Sequence, residues 1–150
     1  MLKQIAHVGI TVSDMEQSIA FYRDVLGLKL VDRMVMEGDS TDRLFGEENM
    51  RAELAYLNGG DGMHCPPVEL ICFTENPAEA YTMNLHATCI SEICFQVNSL
   101  DEEYRRLKRL GVTFLSKPQN FELGGNRSKA VYFRDPDGNI LELMEIYESL

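Results

Sequence analysis

The feature that most constrains this chain is that one motif is written in it twice. Ala6-His7-Val8-Gly9-Ile10-Thr11-Val12 is followed by Ser13-Asp14 and an apolar-periodic stretch ending at Leu26-Gly27-Leu28. Ser91-Glu92-Ile93-Cys94-Phe95-Gln96-Val97 is followed by Asn98-Ser99 and a stretch ending at Leu110-Gly111-Val112. Each copy closes on a similar strand, Val68-Glu69-Leu70-Ile71 in the first and Leu141-Glu142-Leu143-Met144 in the second. An internal repeat of this kind signals one supersecondary unit used twice, and it decides the fold before any single residue does.

Local signals agree with that reading. Ala6, Val8, Ile10 and Val12 alternate with His7, Gly9 and Thr11, the period of two that marks a strand. Ser13 or Asp14 can cap a following helix, in which Met15, Ile19, Tyr22 and Leu26 recur at helical spacing and Gly27 suits the left-handed terminus. The second copy offers a Ser99 or Asp101 cap, then Leu100, Tyr104, Leu107 and Leu110, then Gly111. Three strands are expected after each helix, at 28–36, 50–58 and 68–74, then at 112–116, 128–134 and 139–147. Asp135-Pro136-Asp137-Gly138-Asn139 predicts a tight turn joining the last two. The acidic stretch 37–49 reads as loop. The segment 75–88 reads as loop and connector, giving a first module of about 1–75, a linker of about 76–88 and a second module of about 89–150.

Composition narrows the function classes. At 150 residues the chain suits one domain with a real core. A net charge of −10, from 24 acidic and 14 basic residues, repels nucleic acid and anionic membrane surfaces. The basic cluster Arg105, Arg106, Lys108 and Arg109 falls on the second helix and reads as a solvated face. No stretch has the charge and apolar pattern of a secretory signal or a membrane span, so a cytoplasmic protein is expected. The cysteines Cys65, Cys72, Cys89 and Cys94 form no Cys-x-x-Cys pair and are expected to be reduced, with Cys72, Cys89 and Cys94 buried in apolar segments.

Strand alternation singles out four polar side chains. If the apolar set of the first strand packs on its helix, His7 faces the other way. By the same logic Glu92 lies opposite Ile93, Phe95 and Val97, in the place His7 holds in the first copy. Glu69 and Glu142 are equivalent to each other in the two closing strands, among apolar neighbours. If each module curls its sheet, the four converge on one cavity. Carboxylates in an apolar cavity are costly unless paired or bound to metal, and a histidine with carboxylates is a sensible ligand set for a divalent cation. Each residue also has a plainer reading: His7 as a hydrogen-bonded core histidine, Glu92 on an exposed strand face, Glu69 and Glu142 as solvated edge residues. His64 and His86 lie outside the matched positions and read as loop histidines.

With these residues in view, the chain resembles the vicinal oxygen chelate superfamily, which contains glyoxalase I, methylmalonyl-CoA epimerase and bleomycin-resistance proteins. The resemblance lies in His7-Val8-Gly9-Ile10-Thr11-Val12-Ser13-Asp14, in Ser18–Leu28 and in Phe133-Arg134-Asp135-Pro136-Asp137-Gly138-Asn139-Ile140-Leu141-Glu142-Leu143, and it spans nearly the whole chain. It implies an α+β fold of two tandem βαβββ modules forming a curved, mostly antiparallel eight-stranded sheet with a cleft. It places the metal ligands at His7, Glu69, Glu92 and Glu142. The third ligand is usually histidine in well-known members, and Glu92 makes the iron-dioxygenase and fosfomycin-resistance chemistries less expected. Three carboxylates and a neutral histidine leave −1 around a +2 ion, which weakens Lewis acidity and favours harder ions. One divalent ion is implied: Ni, Co, Mn, Mg or Zn.

The implied activity is that of a metal-dependent isomerase or lyase like lactoylglutathione lyase (glyoxalase I) or methylmalonyl-CoA epimerase. Such an enzyme removes a proton alpha to a carbonyl through a metal-stabilised enediolate, with Glu142 as base and Glu69 as its pseudo-symmetric partner. Thr11 stands where glyoxalase I members often carry an arginine. The substrate would be a small molecule with vicinal oxygens, and the assembly a homodimer. The competing expectation is a metal-free small-molecule-binding protein of the bleomycin-resistance type; a dioxygenase is the third.

Overall fold

A computed structural model describes residues 3–60, 67–75 and 77–147. The chain divides into two compact units, Met1–Ala80 and Tyr81–Leu150. Each holds one four-stranded mixed sheet, and the two sheets have the same connectivity, as tandem βαβββ modules require.

In the first unit, β1 (Val8–Thr11) leads into α1 (Met15–Ala20), which continues as a π-helical turn over Phe21–Val25. Asp14 is the cap, its Oδ1 accepting from the Gln17 amide at 2.9 Å. Met15, Ile19 and Tyr22 are buried as their spacing predicts, and Gly27 ends the turn at φ 83°. β2 (Lys29–Glu37), β3 (Arg51–Asn58) and β4 (Val68–Phe73) complete the sheet in the order β1-β4-β3-β2. β1 and β4 run parallel, which needs the α1 crossover, and the other pairs are antiparallel. In β4, Val68, Leu70 and Cys72 share the face toward α1, so Glu69, Ile71 and Phe73 share the other.

The second unit repeats the plan with β5 (Ile93–Gln96), α3 (Leu100–Arg109), β6 (Gln119–Leu123), β7 (Asn126–Arg134) and β8 (Ile140–Tyr147), ordered β5-β8-β7-β6. Leu100 and Leu107 of α3 are buried, while Leu110 is exposed at the helix end. Ser99 sits at the cap position without a side-chain bond; the Glu145 carboxylate takes the Leu100 amide at 2.8 Å instead. The expected Asp135–Asn139 turn is present. Asp135 Oδ1 accepts from the amides of Asp137 (3.0 Å) and Asn139 (2.8 Å), and Gly138 adopts φ 86°.

The structure corrects three expectations. The stretch 37–49 is not all loop, since α2 (Asp39–Phe45) lies within it. Phe45 stacks edge-on against Phe73, and Asp42 accepts from the amides of Asn49 and Met50. The sixth strand lies at Gln119–Leu123 rather than at 112–116. The earlier segment, followed by Pro118, makes only a bridge between Phe114 and Phe133. Gly124 and Gly125, both at positive φ, then form the two-residue hairpin loop that sets β6 against β7. Finally, of the three described cysteines only Cys72 is buried; Cys89 and Cys94 are exposed, because each lies outside the helix-facing rows of its unit.

Candidate functional site

The sheet registers build two matching half-sites. In the first unit Gly9 of β1 and Tyr56 of β3 flank Glu69 of β4 on either side. In the second, Cys94 of β5 and Tyr132 of β7 flank Glu142 of β8. Strand pairing thus makes Glu69 equivalent to Glu142 and Gly9 to Cys94, and His7 and Glu92 each stand two residues before the latter pair. All of these residues lie on the sheet face away from the unit's own helix, because strand parity opposes them to Leu70 and Leu141.

Glu69 and Glu142 are both 6% exposed, which removes the reading of either as a solvated edge residue. In the first unit, His7 Nε2 lies 3.3 Å from Glu69 Oε2, and the Tyr56 hydroxyl donates to Glu69 Oε1. The rings of His7 and Tyr56 meet edge-on with centroids 6.0 Å apart. The His7 side chain is 44% exposed, so it is not a core histidine. Burial, together with the hydrogen bond to Glu69, pushes the Tyr56 phenol up to about 12, and it therefore remains a donor.

In the second unit Glu92 is half-buried just before β5, and Glu142 takes a hydrogen bond from the Cys94 thiol. Burial raises the Glu142 carboxyl above its ordinary value; the Cys94 bond opposes this and the Glu92 charge adds to it. Loss of hydration at the sulfur, then the bond to Glu142, push the Cys94 thiol up to about 12, although the residue as a whole is exposed. Tyr132 is raised by burial and then by the charge of Glu142.

The donor set can be weighed for a cation. Among the described residues, neither Glu69 nor Glu142 pairs with a lysine or arginine. Two buried carboxylates without a lysine or arginine partner are the circumstance in which a bound cation offsets desolvation. His7 and Glu69, side by side through Nε2 and Oε2, are a compatible nitrogen and oxygen pair. No group of three or more His, Cys, Asp or Glu is arranged to hold an ion among the described residues. Each half-site thus offers a pair of the expected ligands: His7 with Glu69, and Glu92 with Glu142.

Sequence reasoning missed Tyr56, Tyr132 and the role of Cys94. The available signal was Ala55-Tyr56-Leu57 matching Val131-Tyr132-Phe133, a tyrosine at the same place in the third strand of each copy. His86 lies in a loop as expected, its amide bonded to Asn84, while His64 and Cys65 fall outside the described residues. On α3, Arg106 bridges Glu103 and Lys108 lies over the Tyr104 ring, as on an ordinary solvated face.

Comparison with known proteins follows the same lines. The uncharacterized protein YwbC of Bacillus subtilis is 30% identical over 97% of this chain and 99% of its own length. A lactoylglutathione lyase of Haemophilus influenzae is 28% identical over 95% of this chain and 92% of its own. The crystal structure of a glyoxalase family protein from Bacillus cereus superposes with a TM-score of 0.82 at 25% identity, covering 99% of this chain and 97% of that one. The profile of the glyoxalase/bleomycin resistance protein/dioxygenase superfamily matches residues 4–143, and the chain belongs to that superfamily.

Proposed function

We propose that the protein is a metal-dependent isomerase or lyase that removes a proton alpha to a carbonyl of a small substrate with vicinal oxygens. The observation that carries this reading is the pair of buried carboxylates, Glu69 and Glu142, on register-equivalent strands and without a lysine or arginine partner among the described residues. His7, Glu69, Glu92 and Glu142 would hold one divalent cation drawn from Ni, Co, Mn, Mg or Zn. When bound, such an ion supplies Lewis-acid stabilisation of the negative charge that develops on the substrate oxygens.

The residues of the chain supply the rest. Glu142 receives the carbon-bound proton at its carboxylate. The Cys94 thiol, held protonated, orients that carboxylate by donating to it and does not compete as a nucleophile. Glu69, already held by His7 and Tyr56, is the more fixed of the two acids. The similarity to a lactoylglutathione lyase supports this class of reaction without naming the substrate.

The test is deuterium exchange into hemithioacetals, 2-methyl-branched acyl-CoA thioesters and simple 2-hydroxy ketones, with and without added divalent metal. Metal-dependent exchange that falls by roughly 10²-fold or more in Glu142→Gln is the expected result. Wild-type-like exchange in that variant would move the base to Glu69. Absence of metal-dependent exchange on the whole panel would favour a metal-free binding protein.

A homodimer in the cytoplasm completes the proposal. Leu30, Met34 and Val35 are exposed on the edge strand β2, a surface that a second copy would cover. Cys72, Cys89 and Cys94 are free thiols, as a reducing compartment would keep them. A sedimentation mass that stays monomeric at every concentration would overturn the dimer.

A further inference from the structure

Resting on the metal reading above, we infer that Tyr56 is a positioning residue, holding Oε1 of Glu69 so that Oε2, beside His7 Nε2, is the oxygen presented to a cation. Three observations support this. The two carboxylate oxygens have different partners: the Tyr56 hydroxyl donates to Oε1, and Oε2 lies 3.3 Å from His7 Nε2. Tyr56 stands directly opposite Glu69 in the β3–β4 register and its ring meets the His7 ring edge-on, so one side chain touches both members of the pair. On the other flank Gly9 faces Glu69, and a Cβ built there would lie 3.3 Å from Ile71 Cδ1 and 3.4 Å from Oε2. A side chain at position 9 would sit in contact with that oxygen, and glycine leaves that side unfilled.

The second unit shows that this is a choice of residues and not a necessity of the fold. Tyr132 occupies the same register place opposite Glu142, but Glu142 takes its hydrogen bond from Cys94, which stands where Gly9 stands in the first unit. The donor therefore comes from the third strand in one unit and from the first strand in the other. A carboxylate fixed through one oxygen loses rotational freedom before the ligand arrives, which is how hydrogen bonds behind a ligand raise affinity, commonly by about 10–100-fold.

The experiment titrates Mn2+ into the full-length protein and its Tyr56→Phe, Tyr132→Phe and Glu69→Gln variants by calorimetry. Visible spectra of the Co2+-loaded forms provide the second readout. Phe keeps the ring and its packing but removes the donor. The inference expects Tyr56→Phe to weaken Mn2+ binding by about 10-fold or more and to alter the Co2+ bands, since both Glu69 oxygens become available. It expects Tyr132→Phe to change affinity by less than about 2-fold. Wild-type affinity and an unchanged Co2+ spectrum in Tyr56→Phe, with Glu69→Gln still impaired, would overturn the inference and leave the metal reading standing. Failure of the wild-type protein to take up Mn2+ or Co2+ would overturn both. Should Tyr56→Phe not fold, the infrared carboxylate bands lost between metal-free wild type and Glu69→Gln decide instead. Bands shifted by a hydrogen bond to one oxygen support the inference, and bands of a symmetric carboxylate overturn it.

Discussion

The two half-sites share a plan and differ in what surrounds the acid. In the first, Glu69 has a donor on one oxygen and a histidine nitrogen on the other, so both are engaged by nearby groups. In the second, Glu142 has one thiol donor and a second carboxylate nearby, and burial disfavours its charged form. Duplicated strands give equal placement, and the differences at Gly9/Cys94 and His7/Glu92 give the two acids different surroundings. On the proposed reading the first half-site would hold the ion and the second would supply the base.

The change expected to disturb this division most is Glu92→His, which gives the second half-site the imidazole that the first already has. Replacing an anionic oxygen by a neutral nitrogen removes one negative charge from the ligand set and favours ions that bind imidazole well. Competition titration should show the Zn2+ preference over Mn2+ rising by about tenfold or more, some 1.4 kcal/mol. Unchanged relative affinities would mean that Glu92 is not a ligand.

Next in size is the effect of Glu142→Gln on the metal-free protein. The folded-state carboxyl is raised above its ordinary value of 4.5, chiefly by burial. The folded protein therefore holds that proton more tightly than the unfolded chain, and stability from this group falls as pH rises from 4.5 through the higher folded value. Glutamine cannot ionise. The variant should melt a few degrees above wild type at neutral pH, a difference on the scale of ~1 kcal/mol per 4–8 °C for small domains, and the gap should close below the ordinary value. A gap that is the same at acid and neutral pH would place its origin in packing. Saturating metal should reverse the order, because only glutamate then serves as a charged ligand.

These comparisons also show what could be read before the structure. The burial of Glu69 and Glu142 was legible because both sit in short apolar runs whose parity is fixed by the repeat. The tyrosines were hidden by spacing: Tyr56 lies 13 residues before its glutamate and Tyr132 lies 10 before its own, because different connections join the third and fourth strands. α2 was hidden for another reason. Asp39-Ser40-Thr41-Asp42-Arg43-Leu44-Phe45 carries no apolar stripe, and its fixed partners, Phe73 and the amides of Asn49 and Met50, are tertiary. For β6, the apolar residues of 112–116 outweighed the proline at 118 and the Gly124-Gly125 hairpin signal that together place the strand later.

The smallest effect concerns the residue that most distinguishes the second half-site from the first, Cys94. Its thiol donates to Glu142, and that bond favours the charged carboxylate against the burial that opposes it. A hydrogen bond to an ion contributes on the order of 1 kcal/mol or somewhat more, and sulfur donors lie toward the weak end. Cys94→Ala makes this flank resemble Gly9 and should destabilise the metal-free protein by about 1 kcal/mol or less at neutral pH. The bond lowers the Glu142 value, so the stability it contributes is present where the carboxylate is charged and is lost as pH falls and the acid is protonated. The cost of Cys94→Ala should therefore fade in acid, and Cys94→Ser, which keeps a donor, should recover most of it at neutral pH. Chemical denaturation of the three proteins across that pH range measures this directly. A cost that persists in acid, or that serine fails to recover, would make Cys94 a packing residue and would leave the contrast between the half-sites resting on His7 and Glu92 alone.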